Sequence, residues 1–202
     1  MPLSSQFESQ QLTILEKLIS QQPFLGWNEA NLHRVSQSLG IDNRTILRSF
    51  PDGMRDVFSA HSTLIDTRML VASDALKLAC QPVRVRIARL VLCRLTAMSS
   101  HKQAISSLLP LLLTPEYLPT STHMLYRTVD KIWRKAGDQS TDFNFYSKRA
   151  LLAGVYSSTT LCWLTDESKE HIETQRFLER RIANVMSLGK IKADFRSWIR
   201  KK

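Results

Sequence analysis

Glycine and proline are scarce, at six and seven in 202 residues. A sheet protein with many turns needs more of both, so their scarcity points to long helices. Cysteine is scarcer still. Cys80, Cys93 and Cys162 are an odd number with no short spacing, which argues against a disulfide framework and against a zinc site. They read as small buried hydrophobes in a reducing compartment. No apolar run reaches the roughly 20 residues that span a bilayer. The longest uncharged run, Ala150 to Thr165, has 16 residues. Met1 to Gln11 holds no basic residue and no apolar core, so it reads as neither a secretory signal nor an Arg-rich transit peptide.

Catalytic patterns are missing as well. The sequence has no Gly-rich phosphate loop, no nucleophile elbow and no dinucleotide fingerprint. The five histidines, His33, His61, His101, His123 and His171, include no pair of ligand motifs. Glu167 and His171 are four apart, but a second such unit is absent, and they read as a surface pair. The expectation is a protein with no catalytic residues, no metal and no cofactor.

Hydrophobic residues make up 43% of the chain, enough for a packed core. Their spacing predicts an all-α bundle of about ten helices. The first covers about 7–21, with Leu12, Leu15, Leu18 and Ile19 on one face. Asn28 caps a second that carries Leu32, Val35 and Leu39 and stops at Gly40. Asp42 opens a short third, Asn43 to Phe50. A long helix then turns Val57, Leu64, Ile65 and Leu70 inward. Further helices are predicted at about 81–98, 100–113, 115–137, 143–164 and 167–187, with Thr114, Thr165 and Asp166 as cap candidates. Gly189 is predicted to separate a last segment. The expected organisation is a helix-turn-helix region over 1–51, a ligand-pocket and dimerisation bundle over 52–188, and a terminal amphipathic helix over 189–202.

The charge is uneven. Residues 1–80 hold seven Lys/Arg against eight Asp/Glu, and residues 81–202 hold 21 against 10, so the net +10 lies in the second part. This bears on the first three helices. Leu32 to Leu39, a Gly turn, and Asn43 to Phe50 form a helix-turn-helix pattern that is similar to the N-terminus of TetR-family regulators. Duplex affinity comes chiefly from neutralised phosphates. Here Arg34, Arg44, Arg48 and Arg55 stand among Asp42, Asp52 and Asp56. Nucleic acid is therefore not the expected partner, and a TetR-type DNA-binding repressor is the alternative reading.

Residues 129–150 carry a more specific pattern. Val129-Asp130-Lys131-Ile132-Trp133 leads to Ala136-Gly137-Asp138-Gln139-Ser140-Thr141-Asp142-Phe143-Asn144 and on through Phe145-Tyr146-Ser147-Lys148-Arg149-Ala150. Read from the residues alone, the loop either caps helix ends or presents Phe143, Phe145 and Tyr146 to a partner. With Thr174, Arg176-Phe177-Leu178 and Arg180-Arg181-Ile182, the run resembles the ubiquinone-biosynthesis family called Coq-nine. The resemblance implies a TetR-like fold that no longer binds operators, and a hydrophobic pocket for isoprenoid or quinone lipid. It also implies a partner, the di-iron demethoxyubiquinone-type hydroxylase known as the Coq-seven protein, and a homodimer. The partner surface would be Asp142, Asn144, Phe145 and Tyr146. Mitochondrial members commonly have Trp-Tyr where this chain has Phe145-Tyr146.

Apolar helices supply candidate pocket walls: Val91, Leu95, Leu109, Leu112, Leu125, Leu151 and Val155. Ala150, Gly154 and Ser158 recur every four residues, a small-residue stripe best read as core packing. The terminal segment 190–202 sets Ile191, Phe195, Trp198 and Ile199 within one arc of about 100°, with basic residues such as Lys192 and Arg196 outside it. Six cations against one acid suit a helix lying on a membrane surface, each cation adding roughly 1 kcal/mol near anionic lipid. The expected location is the bacterial cytoplasm, peripheral on the inner membrane. The mitochondrial matrix side applies instead if the sequence is trimmed from a eukaryotic protein.

Overall fold

The computed structural model describes residues 3–21, 26–140 and 143–199, with side chains described over 9–21, 26–140 and 145–185. Nine α-helices occur among the described residues, and the expected all-α class holds. They are α1 (Leu3–Ser20), α2 (Glu29–Ser38), α3 (Asn43–Ser49), α4 (Met54–Asp74), α5 (Val83–Met98), α6 (Lys102–Leu112), α7 (Leu118–Lys135), α8 (Phe143–Thr165) and α9 (Ile172–Ile199). Two compact units divide the chain. The first comprises residues 1–68 and 97–125, the second 69–96 and 126–202.

The first unit contains the helix-turn-helix. Asn28 caps α2 by accepting from the Asn31 N–H at 2.9 Å, and Asp42 caps α3 by accepting from the Thr45 N–H at 2.9 Å. Between them Gly40 turns the chain at φ +69. Leu15, Leu18 and Ile19 of α1 are buried as the spacing predicts, but Ile14 joins them and Leu12 is 42% exposed. In α4 Met69 is fully buried, while Leu70 is only partly so. The core is tied to α6 by Trp27. Its indole N–H donates to the Ala104 carbonyl and to Ser107 Oγ, both at 3.1 Å, and its ring meets Phe58 edge-on at 5.7 Å. A buried indole needs such an acceptor.

Helix ends depart from the sequence reading in three places. Thr114 donates back to the Leu111 carbonyl at 2.7 Å and caps nothing ahead of it; α7 begins later, with Pro119 in its first turn. Thr165 donates back to Cys162 at 3.1 Å, leaving the next turn to Asp166. Asp166 accepts from the Ser168 and Thr174 N–H groups, each at 2.8 Å, and from both hydroxyls. Glu170 and His171 stand in the left-handed region there, at φ 55 and 54, held by these bonds. Finally, α9 runs unbroken through Gly189 rather than ending before it.

Two glycines should respond differently to alanine. At Gly40 an added Cβ meets nothing within 4 Å, so Gly40→Ala carries only the left-handed strain, about 1 kcal/mol. At Gly53, φ +55, the Cβ would lie 2.0 Å from Glu29 Oε1, which accepts the Met54 N–H at 2.9 Å. Gly53→Ala should therefore cost more than Gly40→Ala, measured by urea unfolding; equal costs would refute the capping role of Glu29.

Candidate functional site

The corner between α7 and α8 is built around a buried cation. Arg149 is 3% exposed. Its guanidinium donates to Asp130 Oδ1 at 2.7 Å, to Asp138 Oδ2 at 3.2 Å and to the Phe145 carbonyl at 3.0 Å, and lies 3.4 Å from the Phe145 ring centre. Lys148 adds a second cation, donating to Asp138 Oδ1 at 2.7 Å and to Ser140 Oγ at 2.8 Å. Ser140 Oγ also donates to Asp138. Two carboxylates and two cations therefore close on one another.

Asp138 is the hub. Burial pushes its carboxyl up, but bonds from Lys148, Ser140 and Arg149 outweigh that and bring it down to about 2. Trp133 ties the same corner together by donating to the Lys148 carbonyl at 3.0 Å. The loop was expected either to cap helices or to present aromatics. Its first half is an ion-pair lock, and it sets an aromatic pair at the head of α8. Phe145 is half-buried under Arg149, and Tyr146, edge-on at 5.1 Å, is 67% exposed. Of the predicted partner surface, Phe145 and Tyr146 thus come together. Asp142 and the Asn144 side chain lie outside the described residues.

The predicted pocket residues are divided. Val91, Leu95 and Val155 are buried in the second unit, at 0%, 2% and 5% exposure, whereas Leu151 stands on the surface at 45%. Leu109, Leu112 and Leu125 are half-buried in the first unit. The small-residue stripe is not core packing of this chain. Ala150 and Gly154 are exposed, and nothing lies within 4 Å of a Cβ built on Gly154. The side chains of Ile191, Lys192, Phe195, Arg196, Trp198 and Ile199 lie outside the described residues; their backbone continues α9.

His171 pairs differently from the sequence reading. Its carboxylate neighbour is Asp166, at 4.0 Å, with the Trp163 ring beside it at 6.1 Å. Among the described residues no group of three His, Cys, Asp or Glu comes close enough to hold a metal ion, and no helix is long and apolar enough to cross a membrane. Burial pushes the Cys93 thiol up, away from the reactive thiolate.

The corner coincides with what the chain shares with known proteins. The COQ9 family model matches residues 118–189. The bovine protein "Ubiquinone biosynthesis protein COQ9, mitochondrial" is 31% identical over 188 residues, 90% of this chain. This chain is a homologue of the COQ9 proteins. The rat COQ9 protein is 47% identical over 81 residues, 40% of this chain. The Schizosaccharomyces pombe protein is 27% identical over 196 residues, 96% of this chain and 77% of its own length. The chain spans 59% of the bovine and human COQ9 proteins. A TetR transcriptional regulator from Nitrosomonas europaea superimposes with a TM-score of 0.70 at 18% identity, over 86% of this chain and 95% of that one. The fold is therefore TetR-like, as the helix-turn-helix pattern implied.

Sequence reading missed Asp130, Lys148 and Arg149 as working residues. The signal was present: opposite charges inside one shared string, with a cation at a helical position that folding buries.

Replacing Asp138 with Asn leaves Arg149 buried with one carboxylate fewer. We expect Asp138→Asn to lose about 3 kcal/mol at pH 7. Because the folded value lies below 3.8, the Asp138 contribution is present above that pH and drains away toward pH 2. Unfolding series at pH 7 and pH 2.5 should show the gap between wild type and variant narrowing; a constant gap would refute the lock.

Proposed function

We propose that the chain is a non-enzymatic lipid-binding accessory protein of ubiquinone biosynthesis. In this reading it takes an isoprenoid quinone precursor from the membrane surface and presents it to a di-iron demethoxyubiquinone-type hydroxylase. The observation that carries the reading is the convergence at the α7–α8 corner. The corner lies within residues 118–189, the stretch the COQ9 family model matches; ion pairs hold it together from within, and Tyr146 stands outward from it. A lock of this kind pre-organises an aromatic anchor for a partner.

Other features support the remaining parts. Buried apolar helices α5 and α8 supply pocket walls through Val91, Leu95 and Val155. The surplus of Lys and Arg after residue 80 suits an anionic bilayer. The terminal run with Ile191, Phe195, Trp198 and Ile199 would lie on that bilayer, with Lys192 and Arg196 toward its head groups. The outward stripe of Ala150, Gly154 and Ser158 suits close approach of a second copy, hence a homodimer. The site of action would be the inner membrane, bacterial or, as in relatives named mitochondrial, the organelle's.

A second reading, a TetR-type repressor, is favoured by the well-capped helix-turn-helix and the regulator neighbour. Retarded DNA in a gel shift, lost in the Arg44→Ala, Arg48→Ala double variant, would support it.

Mass spectrometry of lipid co-purified with the native protein tests the main reading; an isoprenoid quinone precursor is the expected finding, and none at all would overturn it. Deleting 190–202 should abolish flotation with anionic liposomes, and undiminished flotation would remove the membrane helix. Tyr146→Ala should weaken hydroxylase capture about tenfold while leaving stability within about 0.5 kcal/mol.

A further inference from the structure

Two histidines enter the core of the first unit. His61, on α4, is 3% exposed, and His101 is half-buried in the turn that leads into α6. Their ring centres lie 6.2 Å apart. The His61 ring also lies 6.2 Å from the Trp27 ring, so the three rings form a chain. Trp27 is the residue that ties this core to α6, and its neighbour Asn28 caps α2 of the helix-turn-helix. His101 Nδ1 is buried and meets no hydrogen-bond partner among the described residues.

The charges around the pair oppose a further cation. Burial pushes the His101 pKa down, Arg68 on α4 pushes it the same way, and Glu16 on α1 pulls it back. Glu16 is already engaged by Arg68, which donates to it at 2.8 Å. Lys102 follows His101 directly, and the buried Asp66 stands five residues beyond His61 on α4. Two charged imidazoles at this separation would repel one another. Contact with the Trp27 ring offsets only part of that cost.

We propose that His61 and His101 form a proton-sensitive switch of the first unit, closed around Trp27 while both rings are neutral and loosened between α4 and α6 when they take up protons. Imidazole is the side chain whose charge changes nearest neutral pH, and a buried charge is costly. Opening lets water reach the rings, so the open form holds protons more tightly than the closed one. For His101 the folded value lies below the unfolded one. The closed form is therefore most stable above about pH 6.5 and loses stability as the pH falls below that. Each proton taken up raises the opening constant about tenfold per pH unit in that range. Because Trp27 adjoins the α2 cap, the loosening reaches the helix-turn-helix.

Hydrogen exchange of the full chain between about pH 8 and pH 5.5, corrected for the intrinsic effect of pH, tests the switch. Opening at α6 and around His61 on α4 should grow about tenfold or more per pH unit below about pH 6.5. Opening at α8, in the second unit, should stay level. His101→Gln and His61→Gln should each flatten the rise. A flat wild-type profile, an equal rise in both units, or an unchanged rise in either folded variant would overturn the proposal. A second measurement needs no variant and decides if neither folds. In imidazole NMR of wild type, His101 should stay neutral to lower pH than the exposed His123. Titration of His101 together with His123, or above it, would sink the idea.

Discussion

Burying Arg149 places a full positive charge where water cannot reach it. An uncompensated charge there would cost more than the helices around it can recover. Asp130 approaches from α7 and Asp138 from the loop, and both must stay within bonding distance of one guanidinium. That requirement fixes where α7 ends, how the loop turns at Gly137, and where α8 begins. Lys148 and Ser140 both bond the other Asp138 oxygen, Oδ1, and so pin the loop at Asp138 and Ser140. Phe145 is held because the same guanidinium lies over its ring. Tyr146, the next residue, is thereby aimed outward without needing a contact of its own to hold it there beyond the Phe145 edge. In the proposed reading, this corner is a scaffold for one exposed aromatic.

The first unit is an apolar core centred on Trp27 and Phe58, and it also buries the polar side chains of Asn31, Ser36, His61 and Asp66. It keeps the helix-turn-helix form of a TetR regulator, and form alone does not carry function. The second hides charges and hydroxyls: Arg149 with Asp130 and Asp138, Arg94 with Tyr156, and Asp166 with Ser168 and Thr174. Buried polar groups are costly to leave unmet, so each of these clusters specifies a geometry.

Much of this was legible beforehand. Asn28, Gly40 and Asp42 announce the helix-turn-helix because caps and left-handed turns depend on one residue's own side chain. The aromatic and acidic string at 129–150 announces the similarity to COQ9 proteins. Leu12 against Ile14, and Thr114 and Thr165 as caps, were misread. In each case two neighbours fit the local pattern equally well, and packing across helices chose between them. Gly189 suggests a break because glycine often ends helices, but inside a helix it costs only about 1 kcal/mol, a penalty that a long helix absorbs. The stripe Ala150, Gly154 and Ser158 was read as internal because small residues suit close packing, but sequence does not say whether the close neighbour is the same chain.

The sequence by itself determined the helical class, the first unit's turn, the placement of charge after residue 80, and kinship with COQ9. Those follow from periodicity, single-residue backbone preferences and a shared string, all of which act locally or along the chain. Only the tertiary structure decided that Arg149 and Arg94 are interior cations, that Asp138 is a hub, that His171 sits by Asp166, and that Tyr146 faces out. Each of those depends on which distant residue arrives at hydrogen-bonding distance, and in a folded chain that is settled by the mutual packing of helices.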